Sequence, residues 1–226
     1  MPIKVEEYIR EDASIPYKQW FDGLSSQAAA KVTVAKLRME LGNTSSIKWF
    51  DGMGEYVIDW GPGYRIYLAK DGEKLIVLFG GGTKRGQQRD IDKAKELWAE
   101  YKARKKAMFS RQPASTKGKL MALTRNFKET VVERVQSDAT FAQALLDEAA
   151  TLFLNGEPET ARLILRDLVN ATLGFEQLAA LTAKPSKSLH RMLSPKGNPS
   201  MDNLAAIFQA VRERLQVSLS AHSVAA

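Results

Sequence analysis

The sequence predicts an α+β domain, built from an antiparallel sheet with flanking helices, followed by an all-helical domain. Residues 47–79 contain four short runs rich in β-branched and aromatic side chains, separated by glycine-containing turns. Such spacing is typical of antiparallel hairpins. After residue 126, apolar residues recur at helical spacing almost to the end of the chain. The chain has 226 residues, a length that fits two small domains.

The first domain is predicted to begin with a strand over residues 3–9, where β-branched and aromatic residues are frequent. Two helices follow, over 14–22 and 25–41. The four β runs are 47–50, 56–60, 64–69 and 74–79. A last helix over 87–106 starts with acidic residues and ends with basic ones, which suits the helix dipole.

Residues 110–120 lose this periodicity and contain proline, glycine, serine and threonine, so they predict a linker. The predicted domains are therefore 1–109 and 121–226. Met121 begins a segment that resembles a fresh N-terminus, which favours two reading frames joined in one chain. The helices predicted after the linker are 126–136, 138–154, 157–171, 174–182, 185–193 and 200–215.

The charge is concentrated in the first half of the chain. Lysine and arginine number 33 against 26 acidic residues, a net charge of +7. Residues 1–120 hold 22 of the basic and 15 of the acidic residues, so the whole excess lies there. A basic half indicates a polyanionic partner, most simply a nucleic acid. A basic domain that is merely well solvated is the alternative.

Composition excludes several classes of site. The chain has no cysteine and only two histidines, so disulfides, thiol nucleophiles, cysteine-bound zinc and histidine-pair nucleases are not expected. We expect no cofactor and no metal. Apolar runs are too short to span a bilayer and no signal peptide is evident, so we expect a cytoplasmic protein without a membrane partner.

Residues 175–193 predict two short helices joined by a tight turn. The inward residues would be Leu178, Leu181, Leu189, Met192 and Leu193. The outward side chains are small and hydrogen-bonding or cationic, as needed to contact bases and phosphates in a major groove. The DNA-binding candidates are Lys184, Ser186, Lys187, Ser188, His190, Arg191 and Lys196. The alternative is a helical hairpin that only packs.

The segment LSPKGNPSMDNL over residues 193–204 resembles the stretch after the recognition helix in HigA-type antitoxins of the Xre/Cro helix-turn-helix class. The resemblance covers about 157–215 and places the helix-turn-helix at 174–193. It implies a homodimer that binds its own operator DNA and represses transcription. It also implies that this part of the chain neutralises a toxin.

The first half has motifs of its own in residues 47–90, including GEYVIDWGPGYRIYL and LIVLFGGGTKRGQQRDI. They resemble the HigB-like branch of the RelE/ParE toxin superfamily, the addiction module killer group. The matching residues are Gly61, Pro62, Gly63, Tyr64, Arg65, Gly81, Gly82, Lys84, Gln88, Asp90 and Ile91. The resemblance implies a RelE-like domain that cleaves mRNA on the ribosome.

Metal-free RNA cleavage requires a base for the 2′-hydroxyl, stabilisation of the phosphorane charge and a proton for the leaving oxygen. The first half has no histidine, so Lys, Arg, Glu and Tyr are the available groups. Arg65 and Lys84 are candidates for binding the phosphate, and Lys48 or Glu55 for the base. The candidates for binding RNA bases and flanking phosphates are Tyr64, Trp60 and Arg85. The alternative is that the cations only solubilise edge strands.

The two resemblances together predict a fused toxin–antitoxin module, with contact between the two halves and a helical face covering the basic surface. Two other functions stay open. One is a ParE-like toxin that inhibits gyrase, with its antidote. The other is a transcriptional regulator with an inactive toxin-like domain, because Val57 stands where relatives often have arginine.

Overall fold

A computed structural model describes residues 3–73, 75–110 and 122–221. The chain divides into two compact units. The sheet unit comprises Met1–Leu24 and Gly42–Phe127, and the helical unit comprises Ser25–Leu41 and Lys128–Ala226. Each unit therefore contains a segment from the other half of the sequence.

The sheet unit contains six strands and two helices among its described residues. The strands are β1 (Lys4–Tyr8), β2 (Ile47–Phe50), β3 (Met53–Ile58), β4 (Tyr64–Lys70), β5 (Leu75–Thr83) and β6 (Thr124–Asn126). The helices are α1 (Pro16–Asp22) and α3 (Gln87–Ser110), the second preceded by a 3₁₀ turn over Lys84–Gly86. The predicted strands and helices of the first half are thus confirmed to within a few residues.

The predicted antiparallel sheet is wrong, because the sheet is mixed. Its strand order is β2-β3-β4-β5-β1-β6. The β2–β5 meander is antiparallel, but β1 pairs in parallel with β5, with Val5 opposite Ile76. Turn residues mark only hairpins, and a parallel pair needs a long crossover that leaves no local signature.

The predicted all-helical helix-turn-helix domain over 121–226 is also wrong. Thr124–Asn126 forms β6 and pairs antiparallel with β1, with Arg125 opposite Glu7. In addition, α2 (Ser26–Glu40) belongs to the helical unit although it lies in the first half of the sequence. The order of one complete domain followed by another is therefore not what the chain adopts.

Helix α3 packs on one face of the sheet. Leu97 and Tyr101 of this helix are buried in a cluster with Tyr8, Tyr67 and Phe79. The Tyr8 and Tyr101 rings meet edge to face with centroids 5.6 Å apart, an arrangement that aromatic quadrupoles favour. Helix α3 begins at Gln87, shortly after β5 ends at Thr83, and Thr83 pairs with Tyr64 at the start of β4.

Helix α1 contacts β5 and depends on a glycine there. A Cβ atom at Gly81 would lie 2.4 Å from the Trp20 ring. The rings of Tyr17 and Phe21 both contact Phe127, with centroids 5.5 Å away. The first residue after β6 therefore completes an aromatic core of the sheet unit.

The helical unit contains α2 and six further helices among its described residues. They are α4 (Phe127–Ser137), α5 (Ala139–Leu154), α6 (Pro158–Ala171), α7 (Gly174–Thr182), α8 (Ser186–Met192) and α9 (Met201–Leu215). Asp138 caps α5 by accepting from the Phe141 N–H, and Ser200 caps α9 by accepting from the Asn203 N–H. The helices predicted after the linker are confirmed with small shifts at their ends.

The predicted linker lies almost entirely outside the described residues. Helix α3 continues to Ser110, and residues 111–121 are not described, nor is His222. Within the described parts of the chain, no helix is long and apolar enough to cross a membrane.

Candidate functional site

The residues of the candidate active site meet on one face of the sheet. Strands β3 and β4 pair Glu55 with Tyr67 and Val57 with Arg65, and Arg65 lies opposite Gly82 of β5. Directly paired residues point to the same face. The side chains of Glu55, Val57 and Arg65 therefore share a face.

Arg65 is held on two sides. Its Nε atom lies 3.1 Å from Glu55 Oε1, and the two side chains are only 12% and 7% exposed. The Nε–H is not aligned on that oxygen, so the contact is an ion pair without a hydrogen bond. The Nη1 atom of Arg65 donates to the Gly63 carbonyl at 2.9 Å. The guanidinium is therefore oriented by its own strand and by its neighbour.

Helix α3 completes this site with its first residue. Gln87 Nε2 donates to Glu55 Oε1 at 2.8 Å. We call Glu55, Arg65 and Gln87 the Arg65 cluster. Sequence reasoning missed Gln87, whose only signal is a polar residue at the start of the last helix of the first half. The helix approaches the sheet closely, since a Cβ atom at Gly82 would lie 2.0 Å from Asp90 Oδ2.

Tyr67 lies beside this cluster as a neutral phenol. Burial, and then the negative charges of Glu55 and Asp90, raise the pKa of Tyr67 above its ordinary value. A phenol in this state does not accept a proton at neutral pH. Tyr67 is therefore no candidate for the base.

The other basic candidates are exposed around the cluster. Lys48 of β2 pairs in register with Glu55, and its side chain is open to solvent. Lys84 and Arg85 are exposed in the turn after β5, two and three residues beyond the partner of Arg65. The structure thus joins Arg65 directly to Glu55, while Lys48, Lys84 and Arg85 remain solvent-exposed neighbours along the strands.

The two predicted RNA-stacking residues form a pair at the β3–β4 turn. The Trp60 and Tyr64 rings stack with centroids 6.1 Å apart and planes at 21°. Trp60 is 37% exposed. Successive strand residues point to opposite faces, so the Tyr64 ring is not on the face that carries the Arg65 side chain.

Helices α7 and α8 carry the predicted DNA-binding residues. The turn between them passes through Ala183, which has left-handed backbone angles of φ 53° and ψ 37°. Leu178, Leu189 and Leu193 are buried as predicted, but Leu181 is 57% exposed. The apolar stripe of α7 runs from Phe175 through Leu178 towards Thr182, so the prediction that Leu181 faces inward is wrong.

The polar candidates of this region differ in exposure. Three lie partly buried around the turn and the start of α8, and four are exposed. The partly buried residues are Lys184, Ser186 and Ser188, and the exposed ones are Lys187, His190, Arg191 and Lys196. The His190 ring stacks on the Phe175 ring with centroids 3.7 Å apart, so His190 also fixes α8 against α7.

The segment after α8 is held by an arginine that sequence reasoning missed. Arg162 of α6 is buried and donates from Nε to the Ser194 carbonyl at 3.0 Å and from Nη2 to the Pro195 carbonyl at 2.6 Å. A Cβ atom at Gly197 would lie 2.1 Å from the Met192 carbonyl oxygen. Arg162 has no clear signal in the sequence, because Glu159 and Arg166 share its helix face.

No group of three or more histidine, aspartate or glutamate side chains is placed to hold a metal ion within residues 3–73, 75–110 and 122–221.

Comparison with known proteins gives one relationship without a function. No family model matches the chain, and no solved structure matches it. A 94-residue stretch is 36% identical to an uncharacterized protein of Haemophilus influenzae. This stretch is 41% of the chain and covers 95% of that protein.

Proposed function

We propose that this chain, which belongs to the same family as the uncharacterized protein of Haemophilus influenzae, is a toxin–antitoxin module in one polypeptide. Its first half would cleave mRNA on the ribosome, and its second half would restrain it and bind operator DNA in the cytoplasm. The family relationship supplies no activity. A two-part chain is supported by a match of 41% of this chain to nearly a whole separate protein.

The observation that carries this proposal is the fixed guanidinium of Arg65. In metal-free cleavage the 2′-oxygen loses its proton and attacks phosphorus, and the 5′-oxygen leaves with a proton. Negative charge on the phosphoryl oxygens rises during this step. An arginine already oriented by Glu55 and by the Gly63 carbonyl would meet that charge without reorganising.

The buried contacts favour a positioning role for Glu55. Its carboxylate is next to Arg65 and accepts a hydrogen bond from Gln87, so proton abstraction would leave the guanidinium without its partner. We therefore assign removal of the 2′-hydroxyl proton to the exposed amine of Lys48, and protonation of the leaving 5′-oxygen to the exposed ammonium of Lys84. Arg85 would bind a flanking phosphate, and the exposed Trp60 ring at the β3–β4 turn would stack an unpaired base.

Cell-free translation tests this function. Residues 1–112, the same fragment with Arg65→Ala, and the full chain are each added, and mRNA ends are mapped. We expect cleavage by the first only. Absence of cleavage by the unmodified fragment, shown to be folded by circular dichroism, would reject the nuclease.

DNA binding is proposed for the exposed side of α8. Lys187 and Arg191 would contact phosphates or bases, and a homodimer would read two half-sites about one helical turn apart. Gel shifts of the upstream region with the full chain, over a range of salt concentrations, test this. Equal affinity for unrelated DNA would reject sequence-specific repression.

One observation favours a second function, a regulator whose first half is inactive. Val57 lies directly opposite Arg65 on the same face of the sheet, where toxins of the resembled group often have arginine. With valine at position 57, Arg65 alone would supply the arginine charge on this face, and part of the positive charge that stabilises the transition state would be missing. Under this function, residues 1–112 leave mRNA intact, whereas the Val57→Arg variant cuts it.

A further inference from the structure

Helix α2 is the element of the first half that the helical unit encloses. Ten of its residues are buried, including Val32, Leu37 and Lys36. A helix that is apolar on one side only would not be buried all round. Alanines at positions 28, 29, 30 and 35 permit close approach of neighbouring helices. Within the helical unit, α2 packs against α5 and α6.

Paired charges line this packing, with the cations on α2 and the anions on its partners. Lys31 Nζ lies 2.7 Å from Glu148 Oε1 of α5. Arg38 makes a two-point contact with Glu157, at the start of α6, from Nε at 2.9 Å and from Nη2 at 2.7 Å. Such bidentate pairs are geometrically specific.

A hydroxyl contact fixes the other end of α2. Ser26 Oγ donates to Asp138 Oδ2 at 3.1 Å, at the cap of α5. Ser26 and Arg38 thus contact the residues that begin α5 and α6, one at each end of α2. These contacts set the position of α2 along its partners.

One further cation is buried completely. Lys36 has no exposed surface, and its Nζ lies 3.4 Å from Glu40 Oε1. Asp167 of α6, which is 6% exposed, also interacts electrostatically with Lys36. Burying an ammonium group is costly unless anions surround it. A helix with a cation at this position therefore requires an acidic partner such as α6.

We propose that these contacts form a charge code by which the second half recognises α2 of its own first half. The second half would bind a helix that has a hydroxyl at position i and cations at i+5, i+10 and i+12. In α2 these positions are Ser26, Lys31, Lys36 and Arg38. A first half with an acid at one of these positions would be rejected through repulsion by Glu148, Asp167 or Glu157. This code deepens the proposed function, since it names what the restraining half selects.

Charge reversal in the full chain tests the code, with amide hydrogen exchange of residues 26–40 as the measurement. We expect Arg38→Glu to accelerate exchange in α2 about ten-fold. Adding Glu157→Arg restores the pair in reverse and should return exchange to within about two-fold of the parent. Arg214→Glu, at an exposed position of α9, changes the net charge equally and should leave α2 unaffected.

The Lys31–Glu148 ion pair provides an independent test in case an Arg38 variant fails to fold. Lys31→Glu, with and without Glu148→Lys, should show the same loss and rescue. Exchange in α2 unchanged by both reversals, or unrescued by both swaps, would overturn the code.

The mRNA assay on the same full-chain variants separates the two proposals. Cleavage that appears with Arg38→Glu and disappears with the swap supports both the code and the nuclease. Altered exchange in α2, with no cleavage by any preparation, supports the code and rejects the nuclease. Cleavage by the full-chain variants, with unaltered exchange in α2, supports the nuclease and rejects the code.

Discussion

Arg65 and Glu55 depend on each other because both side chains are nearly removed from water. A buried carboxylate that loses its cation keeps its desolvation cost without the compensating attraction. The hydrogen bond from Gln87 offsets part of that cost. The pair therefore links the stability of the sheet unit to the orientation of the proposed catalytic arginine.

We predict that Arg65→Ala lowers the free energy of unfolding of the full chain by about 3 kcal/mol. Urea denaturation measures this change. The matched control is Lys84→Ala, which removes an exposed cation and should change stability by less than about 0.5 kcal/mol. Adding Glu55→Gln to Arg65→Ala should recover part of the loss. Equal stability of the Arg65 and Lys84 variants would contradict a buried ion pair.

For single residues, the sequence predicts which side chains belong to the site better than it predicts what those side chains contact. Motif and strand position predict Arg65 and Glu55 as site residues, and the structure brings them into contact. Gln87 was missed because it meets Glu55 from 32 positions away, and no local pattern reports such an approach. The sequence offers Glu55 as a base because it does not report the burial of this carboxylate, which only the packed sheet determines.

Among the elements, the turn between α7 and α8 carries an avoidable strain. Ala183 adopts left-handed angles, which glycine adopts without the steric cost of a Cβ atom. We predict that Ala183→Gly raises the stability by about 1 kcal/mol, and the melting temperature by about 2–4 °C. Ala180→Gly, in the exposed middle of α7, should lower stability by about the same amount. Differential scanning calorimetry measures both variants. A lower melting temperature in both would show that the backbone at Ala183 is not strained.

The cap of α5 gives a pH-dependent prediction. Burial raises the pKa of Asp138, but hydrogen bonds from Thr140, the Phe141 N–H and Ser26 outweigh it and hold the pKa below 3.8. A lowered folded-state pKa means stability that is present above about pH 4 and lost as the pH falls through the folded value. Asp138→Asn keeps a cap acceptor and removes this dependence.

Urea denaturation from about pH 6 down to about pH 2, a range that begins above the ordinary carboxyl pKa and ends below it, checks the cap. We expect Asp138→Asn to flatten the fall in stability at acidic pH. Asp138→Ala removes the cap itself and should cost about 1 kcal/mol at neutral pH. An unaltered acid dependence in the Asn variant would show that other groups govern it.

Local sequence patterns predict most of the helices and strands. They do not predict how β1 pairs with β5 and β6. The hairpins β2–β5 follow from turn residues and alternation, and the helices after the linker from their periodicity. The parallel β1–β5 pair joins residues about 70 apart. Strand β6 has three residues, too few for any period, and it forms because the unpaired edge of β1 offers hydrogen bonds and Glu7 offers a partner for Arg125.

For the whole molecule, the exchanged segments predict coupled unfolding. Helix α2 belongs to the helical unit, yet both its ends continue into the sheet unit, at Leu24 and Gly42. Unfolding of the helical unit therefore turns residues 25–41 into a flexible loop between two segments of the sheet unit, and closing that loop has an entropic cost. All four tryptophans, Trp20, Trp49, Trp60 and Trp98, lie in the sheet unit.

We predict that tryptophan fluorescence and far-ultraviolet circular dichroism give the same urea midpoint, although the first reports the sheet unit and the second chiefly the helices. Leu165→Ala, in the buried core of α6, should lower both midpoints together, at a cost of about 2–5 kcal/mol. Separate midpoints, or a shift in only one of them, would show that the units unfold independently.

The exchange of α2 also sets an order of events during synthesis. Ala171, the last residue of α6, follows Glu40 by 131 residues. At about 5–20 residues per second, a ribosome needs on the order of ten seconds to cover that distance. The nascent first half spends this interval without α5 and α6, so the packing of α2 is completed only after α6 has been synthesised.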